Sequence, residues 1–436
     1  MAIMQRSQDM AAEFCQFEDY PRTIVYIKDI KQVAHYHHDA GYFKPFDNEA
    51  FDQFVYKWLL GRWQKNLSTS IAEDIAQQIQ WLLPRIIPNM QSNYIALTDK
   101  LLNLKTFEYE PFAVEKTTFY KLNVSSVAIE ANRGKGLRFQ EFLDYVLVSP
   151  ETLEADKQLQ SFVQEIFGYC LLPTLEKHSA FFFLGEGSNG KSVLLSVLGE
   201  IMGKEFVTAF SVEKLTTDRW AKSHLPGKRV NICTEEESQF VKSDAFKALV
   251  SGDIINAEYK YGNNFEFQPT LKFVFATNEM PTFNGFNHGL VRRIKIIPFN
   301  RIIPDALQDT KILGKLLSEL PAIVAWAIDG AKRLVENGFR FTEAAQTELK
   351  SAEFRETLST AVAFIKTQYI EDAEDFTPFT DLYTAYRAWC EQNGCKVMKS
   401  RNFAKDINRE LKLPPKLGRD DGGNTCRGRA VRVKPT

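Results

Sequence analysis

The sequence lacks the features that mark several classes of protein. Its six cysteines include no Cys-x2-Cys pair, which argues against a zinc site and against a disulfide framework. Its apolar runs are far shorter than a membrane span, and its first residues lack the apolar core of a signal peptide. The net charge of −1 argues against a uniformly basic nucleic-acid-binding surface. We therefore expect a cytoplasmic protein with no membrane partner.

The chain is long enough, at 436 residues, for two or three domains. In its middle, four strand-like runs rich in β-branched and aromatic residues alternate with helical stretches, at 180–184, 229–233, 271–276 and 293–297. This alternation predicts an α/β fold with a mostly parallel sheet covered by helices. The predicted parts are an N-terminal α+β domain (1–135), the core (136–310, with a helical lead-in at 136–175), a helical segment (311–372) and a small C-terminal domain (373–436).

A glycine-rich segment joins the first of these strands to an apolar helical stretch. It consists of Gly185, Glu186, Gly187, Ser188, Asn189, Gly190, Lys191 and Ser192. A strand, such a loop and a helix form a phosphate-binding P-loop, whose N–H groups and helix dipole attract a triphosphate. We predict that these eight residues bind ATP, that Lys191 reaches its β- and γ-phosphates and that Ser192 binds Mg²⁺. A glycine-rich turn with a chance Lys-Ser pair is the competing interpretation.

Carboxylates and an amide follow the next predicted strands. Glu235, Glu236 and Glu237 come directly after the strand that ends near Cys233. We assign Glu235 to the metal ion and Glu236 to the attacking water, with Glu237 as the competitor for either role. Asn278 ends the following strand, where its amide could contact both the γ-phosphate and the water. A charged loop and an ordinary turn are the simpler interpretations.

Two arginines and a predicted hairpin complete the series. Arg292 and Arg293 begin the last strand, and a planar guanidinium there could neutralise phosphate charge as an arginine finger from a neighbouring subunit. Before the predicted strand at 271–276, strand-forming residues flank a turn at 262–264, which predicts a β-hairpin. Its candidate DNA-binding residues alternate rings with a cation, as single-strand binders do: Tyr259, Lys260 and Tyr261. A surface arginine pair and a bare surface hairpin remain open alternatives.

The C-terminal part is locally basic. Residues 396–436 contain twelve lysines and arginines against four acids, a field that attracts a phosphate backbone. Apolar residues at helical spacing predict two helices, followed by a basic hairpin. The candidate DNA-binding residues there are Arg401, Lys405, Arg409, Arg427 and Arg429. A solvated surface is the alternative interpretation.

Taken together, the P-loop, the Gly227-Lys228-Arg229 run leading to Glu235, the Ser251-Gly252-Asp253 run, the hairpin, Ala276-Thr277-Asn278 and Arg292-Arg293-Ile294 resemble the superfamily III helicases. More narrowly, residues from about 90 to 435 resemble the helicase half of phage and plasmid primase–helicases and related mobile-element replication initiators.

The resemblance implies an AAA+-type ATPase core, a hexameric ring with ATP at subunit interfaces, and translocation on single-stranded DNA. It also implies that Lys260 contacts DNA, that Arg292 or Arg293 is the finger and that the C-terminal domain is a winged helix. Single-stranded and forked DNA are the expected partners. Residues 1–90 are short for a fused primase domain, so a separate primase or polymerase is a further expected partner.

Two other functions share some of these features. One is an origin-binding replication initiator in which ATP acts as a binding switch and unwinding is weak. The other is a small-molecule kinase, which shares the P-loop but does not explain the Glu-Asn-Arg series or the basic C-terminal part.

Overall fold

The computed structural model describes most of the chain, namely residues 2–16, 20–28, 30–47, 49–63, 68–86, 92–236, 240–260, 262–283, 288–392, 397–420 and 422–434. The α-helices are Ala2–Gln16, Tyr20–Thr23, Ala50–Trp63, Thr69–Leu82, Ser126–Asn132, Leu137–Val146, Lys157–Leu171, Lys191–Met202, Val212–Thr217, Arg219–Ser223, Ser243–Ser251, His288–Val291, Ile312–Leu317, Leu320–Glu336, Ala345–Leu358, Thr360–Gln368, Phe379–Gln392 and Ser400–Glu410. None of these helices combines the length and the apolar character that a membrane span requires.

The strands are Ile24–Ile27, Gln32–His37, Tyr42–Pro45, Arg85–Ile86, Tyr94–Ala96, Leu101–Asn103, Tyr109–Glu110, Ala180–Leu184, Val207–Thr208, Val230–Glu236, Phe240–Val241, Ile255–Glu258, Asn264–Phe267, Lys272–Thr277, Thr282–Phe283, Ile294–Pro298, Tyr369–Glu371, Thr377–Pro378, Lys416–Arg419, Thr425–Arg429 and Val431–Val433.

A five-stranded parallel sheet forms the centre of the molecule. Its strand order is 294–298, 180–184, 272–277, 230–236 and 207–208. The four strand-like runs of the sequence are thus four of its five strands, and the predicted parallel sheet is confirmed. The strand 272–277 is buried at every position, as expected for a parallel sheet with helices on both faces. The loop after Leu184 and the ends of strands 230–236 and 272–277 consequently meet at one edge.

The largest apolar core lies on one face of this sheet. It includes the helices 157–171, 191–202 and 320–336, together with residues from 95 to 129. Gly168 and Gly330 let two of these helices approach closely, since a Cβ on Gly330 would lie 2.3 Å from the carbonyl oxygen of Gln164. The predicted boundary at residue 135 therefore does not coincide with a gap in the packing.

The described residues between 2 and 86 form a smaller layer of their own. The strands 42–45, 32–37, 24–27 and 85–86 make a mixed sheet, and helices 2–16, 50–63 and 69–82 pack around a separate apolar cluster. Ser68 caps the helix 69–82 by accepting a hydrogen bond from the Ile71 N–H at 3.4 Å. We call residues 2–86 the N-terminal unit.

The C-terminal part contains two helices and a hairpin, as its sequence predicts. The helix 400–410 buries Phe403 and Ile407, and the strands 416–419 and 425–429 pair antiparallel. Of the predicted DNA-binding residues, Arg401, Lys405 and Arg427 are exposed. The side chain of Arg409 lies outside the described part of the chain.

Arg429 corrects one of these predictions. Its side chain is only 2 % exposed, and its guanidinium donates to the carbonyl oxygens of Leu411 and Leu413 and to Asn408 Oδ1. It fastens the hairpin to the end of the preceding helix and is not presented to DNA. Arg427 lies two residues earlier on the same face of the strand but is exposed, because the end of the preceding helix and the residues after it cover only Arg429.

Candidate functional site

The glycine-rich loop curves around an open cavity at the carboxyl edge of the central sheet. The cavity has a volume of about 520 Å³, and it is lined by residues 187–193, 234–236 and 276–278. Gly190 has a φ of +88°, and a Cβ there would lie 2.9 Å from Val146 Cγ1, so the turn into the helix 191–202 requires glycine. The backbone N–H groups of residues 187–193 form no hydrogen bond with any part of the chain that the structure describes. These N–H groups can therefore donate hydrogen bonds to a bound anion.

Lys191 lies within this loop with its ammonium group held by polar oxygens. Its Nζ donates to the carbonyl oxygen of Gly185 at 2.5 Å, to Asn189 Oδ1 at 3.0 Å and to Asn278 Oδ1 at 3.3 Å. The side chain is 5 % exposed, and burial lowers its pKa to about 8. Asn189 is buried beside it and donates to the carbonyl oxygen of Glu186. Every partner of the ammonium group is neutral, so a phosphate could replace them favourably.

The two described carboxylates of the acidic run differ in their surroundings. Glu235 is exposed, whereas Glu236 is 3 % exposed and its Oε2 accepts a hydrogen bond from the Val212 N–H at 2.7 Å. Both line the cavity. Glu236 is thus anchored to the start of the helix 212–217, while Glu235 can reorient. Glu237, the predicted competitor, lies outside the described residues.

The strand 272–277, which ends before Asn278, lies between the strand 180–184 that precedes the P-loop and the strand 230–236 that carries Glu235 and Glu236. Asn278 is exposed at its end, within hydrogen-bond distance of Lys191. Thr277 is buried, and its hydroxyl donates to the Glu236 carbonyl oxygen at 2.9 Å. The sequence analysis missed Thr277, whose only signal was its position between Ala276 and Asn278. This hydrogen bond links the end of the strand 272–277, next to Asn278, to the strand 230–236.

Ser192 and Glu235 are the described residues that could hold a metal ion at the cavity. Ser192 is exposed in the first turn of the helix 191–202, and Glu235 is exposed across the cavity. No cluster of three or more histidine, cysteine or carboxylate side chains that could hold a metal exists among the described residues. That donor set fits an ion that keeps several waters and relies on substrate phosphates for its other ligands.

Arg292 and Arg293 lie at the opposite edge of the sheet. Ile294 pairs with Ala180 and Pro298 with Leu184, so the arginines precede the strand at the end remote from the P-loop. Five residues of strand separate the two edges by about 16 Å. Arg293 donates to Ser251 Oγ at 2.6 and 2.8 Å, whereas Arg292 is exposed. Neither arginine is therefore placed to serve the P-loop of its own chain.

The predicted hairpin is present, with strands 255–258 and 264–267 paired antiparallel. Lys260 is exposed next to its turn, and Tyr259 is half-buried and stacked on Phe265 with ring centroids 4.6 Å apart. Glu258 forms an ion pair with Arg219 at 2.9 Å, which links the hairpin to the helix 219–223. Tyr261 lies outside the described residues.

Two family models match parts of the chain. A family of unknown function (DUF5906) matches residues 183–293, which include the P-loop and both arginines. A model described as poxvirus D5 protein-like matches residues 349–413.

Curated viral proteins are similar over about a third of the chain. The protein named "Putative helicase L207/L206" of Acanthamoeba polyphaga mimivirus is 29 % identical over 154 residues, which are 34 % of this chain and 16 % of that protein. "Primase D5" of fowlpox virus (strain NVSL) is 27 % identical over 164 residues, 35 % of this chain and 20 % of that protein. The matched region thus spans a fifth or less of either relative.

Among solved structures, an apo form of the NrS-1 C-terminal region is similar over 94 % of this chain and 96 % of its own, with 11 % identity and a TM-score of 0.47. The viral matches confirm the resemblance drawn from the sequence. The chain is a relative of viral replication proteins named as a helicase and as a primase.

Proposed function

We propose that the protein is an ATP-dependent DNA helicase of viral, plasmid or mobile-element replication, which forms a ring and moves along single-stranded DNA. The observation that carries the proposal is the cavity at the carboxyl edge, where unpaired N–H groups, Lys191, Asn278 and two carboxylates converge. A small number of convergent polar groups around an open cleft is typical of a ligand site. Its donors suit a triphosphate.

The residue roles follow from the contacts. Lys191 exchanges its neutral partners for phosphate oxygens, and the first turn of the helix 191–202 adds its dipole. Ser192 and Glu235 hold Mg²⁺, which neutralises phosphate charge when bound. Glu236, which the Val212 N–H holds at the wall of the cavity, orients the attacking water. Asn278, next to Lys191, senses the γ-phosphate.

A neighbouring copy completes the site with an arginine. Arg292 is the better candidate of the two, because Arg293 is already bound by Ser251 and by the Gly289 carbonyl oxygen. Since the arginines lie at the far edge of their own sheet, such a contact runs from one copy to the next in a head-to-tail arrangement, which closes into a ring. We take the ring to be a hexamer, as the resemblance implies.

DNA contacts are assigned to two surfaces. Lys260 at the hairpin turn contacts the strand that is moved, and changes at the γ-phosphate shift the hairpin. The C-terminal domain acts as a winged helix that contacts duplex DNA through Arg401, Lys405 and Arg427, which are exposed. A separate primase or polymerase would act with the helicase at the fork.

The test is a strand-displacement assay on forked DNA, run beside ATP turnover and particle mass with and without ATP. We expect DNA-stimulated turnover, displacement and a ring-sized particle. An origin-binding initiator is the second candidate, favoured by the exposed basic residues of the C-terminal domain. Turnover without displacement would favour the initiator, and absence of ATP binding would contradict both.

A further inference from the structure

An exposed stack of aromatic and basic side chains lies on the surface of the N-terminal unit. The Arg85 guanidinium lies 5.0 Å from the ring centroid of Trp81 and 5.0 Å from that of Tyr26. Tyr26 and Arg85 pair in register on neighbouring parallel strands, which holds them side by side. Trp81, at the end of the helix 69–82, is 71 % exposed. Arg85 covers one face of the Trp81 ring, and the exposure of Trp81 leaves the other face open for a stacked base.

The same pattern continues at the hairpin. Tyr259 stacks on Phe265 with an angle of 19° between the rings, and the Lys31 ammonium lies 5.5 Å from the centroid of Phe265. Lys31 belongs to the N-terminal unit, so the unit and the hairpin are in contact. Lys31 directly precedes Gln32, which pairs with Ile27, so it lies in the same hairpin as Tyr26 and adjoins the Trp81–Arg85–Tyr26 stack.

These side chains form one continuous surface, which we call the aromatic–basic strip, comprising Trp81, Arg85, Tyr26, Tyr259, Phe265 and Lys31. Its two cations, Lys31 and Arg85, form no ion pair with a carboxylate in the part of the chain that the structure describes. Arg62, in the same unit, differs because it pairs with Glu13 at 3.0 Å.

We propose that the aromatic–basic strip binds single-stranded DNA, and that the N-terminal unit thereby extends the path of the strand beyond the hairpin. Rings on which bases stack, interleaved with cations that pair with phosphates, are what sequence-tolerant single-strand sites use. The strip is continuous with Lys260, the proposed DNA contact, and its charge is of the sign that a phosphate backbone requires. The proposal rests on the proposed function in taking DNA as the polymer.

A contact with another protein is the alternative occupant. The cores of protein interfaces are depleted in unpaired charge, because a desolvated cation without a partner is costly. The strip instead alternates rings with unpaired cations, and both Lys31 and Trp81 are exposed. These properties favour a polyanion with flat bases.

The N-terminal unit provides a matched control. Arg62 lies 5.5 Å from the ring centroid of Trp58, so it too is an arginine next to a tryptophan. Trp58 packs against the apolar cluster of the unit, and Arg62 is neutralised by Glu13. Arg62→Gln therefore removes the same chemical group as Arg85→Gln at a site outside the strip.

The experiment measures binding of a fluorescent oligothymidylate of about 16 nucleotides to the full chain by anisotropy, together with quenching of tryptophan emission. We expect Arg85→Gln and Trp81→Ala each to weaken binding about tenfold, as loss of one stacked base would. Trp81→Phe should retain binding within about threefold, because a ring remains, but lose part of the quenching. Arg62→Gln should change binding by less than about twofold. Thermal unfolding of each variant checks the fold.

Two results would overturn the inference. One is unchanged oligothymidylate binding in both Arg85→Gln and Trp81→Ala. The other is a loss of particle mass in Trp81→Ala with DNA binding intact, which would make the strip a contact between copies. If Lys260→Ala weakens binding while the strip variants do not, only the strip inference fails. If the unaltered chain binds no single-stranded DNA, the proposed function fails with it.

Discussion

Two buried lysines lie at opposite edges of the same sheet, and only one of them faces a cavity. Lys191 follows the strand 180–184, is 5 % exposed and has a pKa lowered to about 8 by burial. Lys272 begins the neighbouring strand, is 1 % exposed and has a pKa lowered to about 7 by burial and by Arg229. Both donate to backbone carbonyl oxygens. Burial and a lowered pKa therefore do not by themselves identify a functional lysine.

Their surroundings separate the two. Lys272 donates to the carbonyl oxygen of Leu172 and lies 5.2 Å from the ring centroid of Tyr169, at the C-terminal end of the helix 157–171. Arg229 donates to the neighbouring Leu171 carbonyl oxygen. Both cations therefore lie at the C-terminal end of the helix 157–171, where they interact favourably with the negative end of its dipole. Lys191 instead opens onto a cavity whose N–H donors are unpaired. The comparison assigns anion binding to one edge and helix attachment to the other.

The largest effect is expected at the cavity edge. Lys191→Ala should abolish measurable ATP turnover, because the only ammonium group within the P-loop is lost from both nucleotide binding and the transition state. Steady-state phosphate release measures it. The alanine leaves the strand and helix that frame the loop intact, so the midpoint of thermal unfolding should shift little. Turnover near the level of the unaltered chain would contradict the assignment of the cavity.

The second-largest effect is expected from Arg292, which precedes the strand 294–298 at the end of the sheet remote from the P-loop. Arg292→Ala should lower turnover about 10³-fold, as loss of an arginine finger does, while ATP binding persists. Arg293→Ala is the matched comparison. Because Arg293 binds Ser251 within its own chain, its loss should appear mainly as lower thermal stability. The reverse pattern would reassign the finger to Arg293.

The third effect separates movement along DNA from ATP hydrolysis. Lys260→Ala should lower strand displacement at least about tenfold relative to DNA-free ATP turnover, because the side chain lies on the hairpin and not at the cavity. Parallel measurement of both rates on one preparation gives the ratio. An unchanged ratio would remove the hairpin from the DNA path.

The smallest effect concerns Lys272 and appears in stability. Its folded pKa of about 7 is below its ordinary value of 10.5, so the unfolded chain binds more protons between these values and stability should rise with pH there. Lys272→Met should lose this rise, which denaturant unfolding at pH 7 and pH 9 would detect. ATP turnover should stay within about twofold. A large loss of turnover in a folded variant would undo the distinction between the two lysines.

The sequence predicted the local parts of the site well and the contacts between distant parts poorly. Glycine spacing and flanking apolar runs are local signals, so the loop before Lys191 and the parallel strands around it could be predicted. The anchoring of Glu236 by Val212 and the burial of Arg429 depend on residues brought together only by tertiary packing. The contact between the N-terminal unit and the hairpin had no sequence signal, since its rings and cations lie on separate segments.

The most direct test of the account is a mixing experiment. Lys191→Ala retains Arg292, and Arg292→Ala retains the P-loop, so a mixed ring contains some interfaces with both groups intact. Random mixing in equal amounts should restore about a quarter of the ATP turnover of the unaltered chain, although each variant alone is nearly inactive. A mixture that stays as inactive as its components would contradict the claim that the nucleotide site is completed by a second copy.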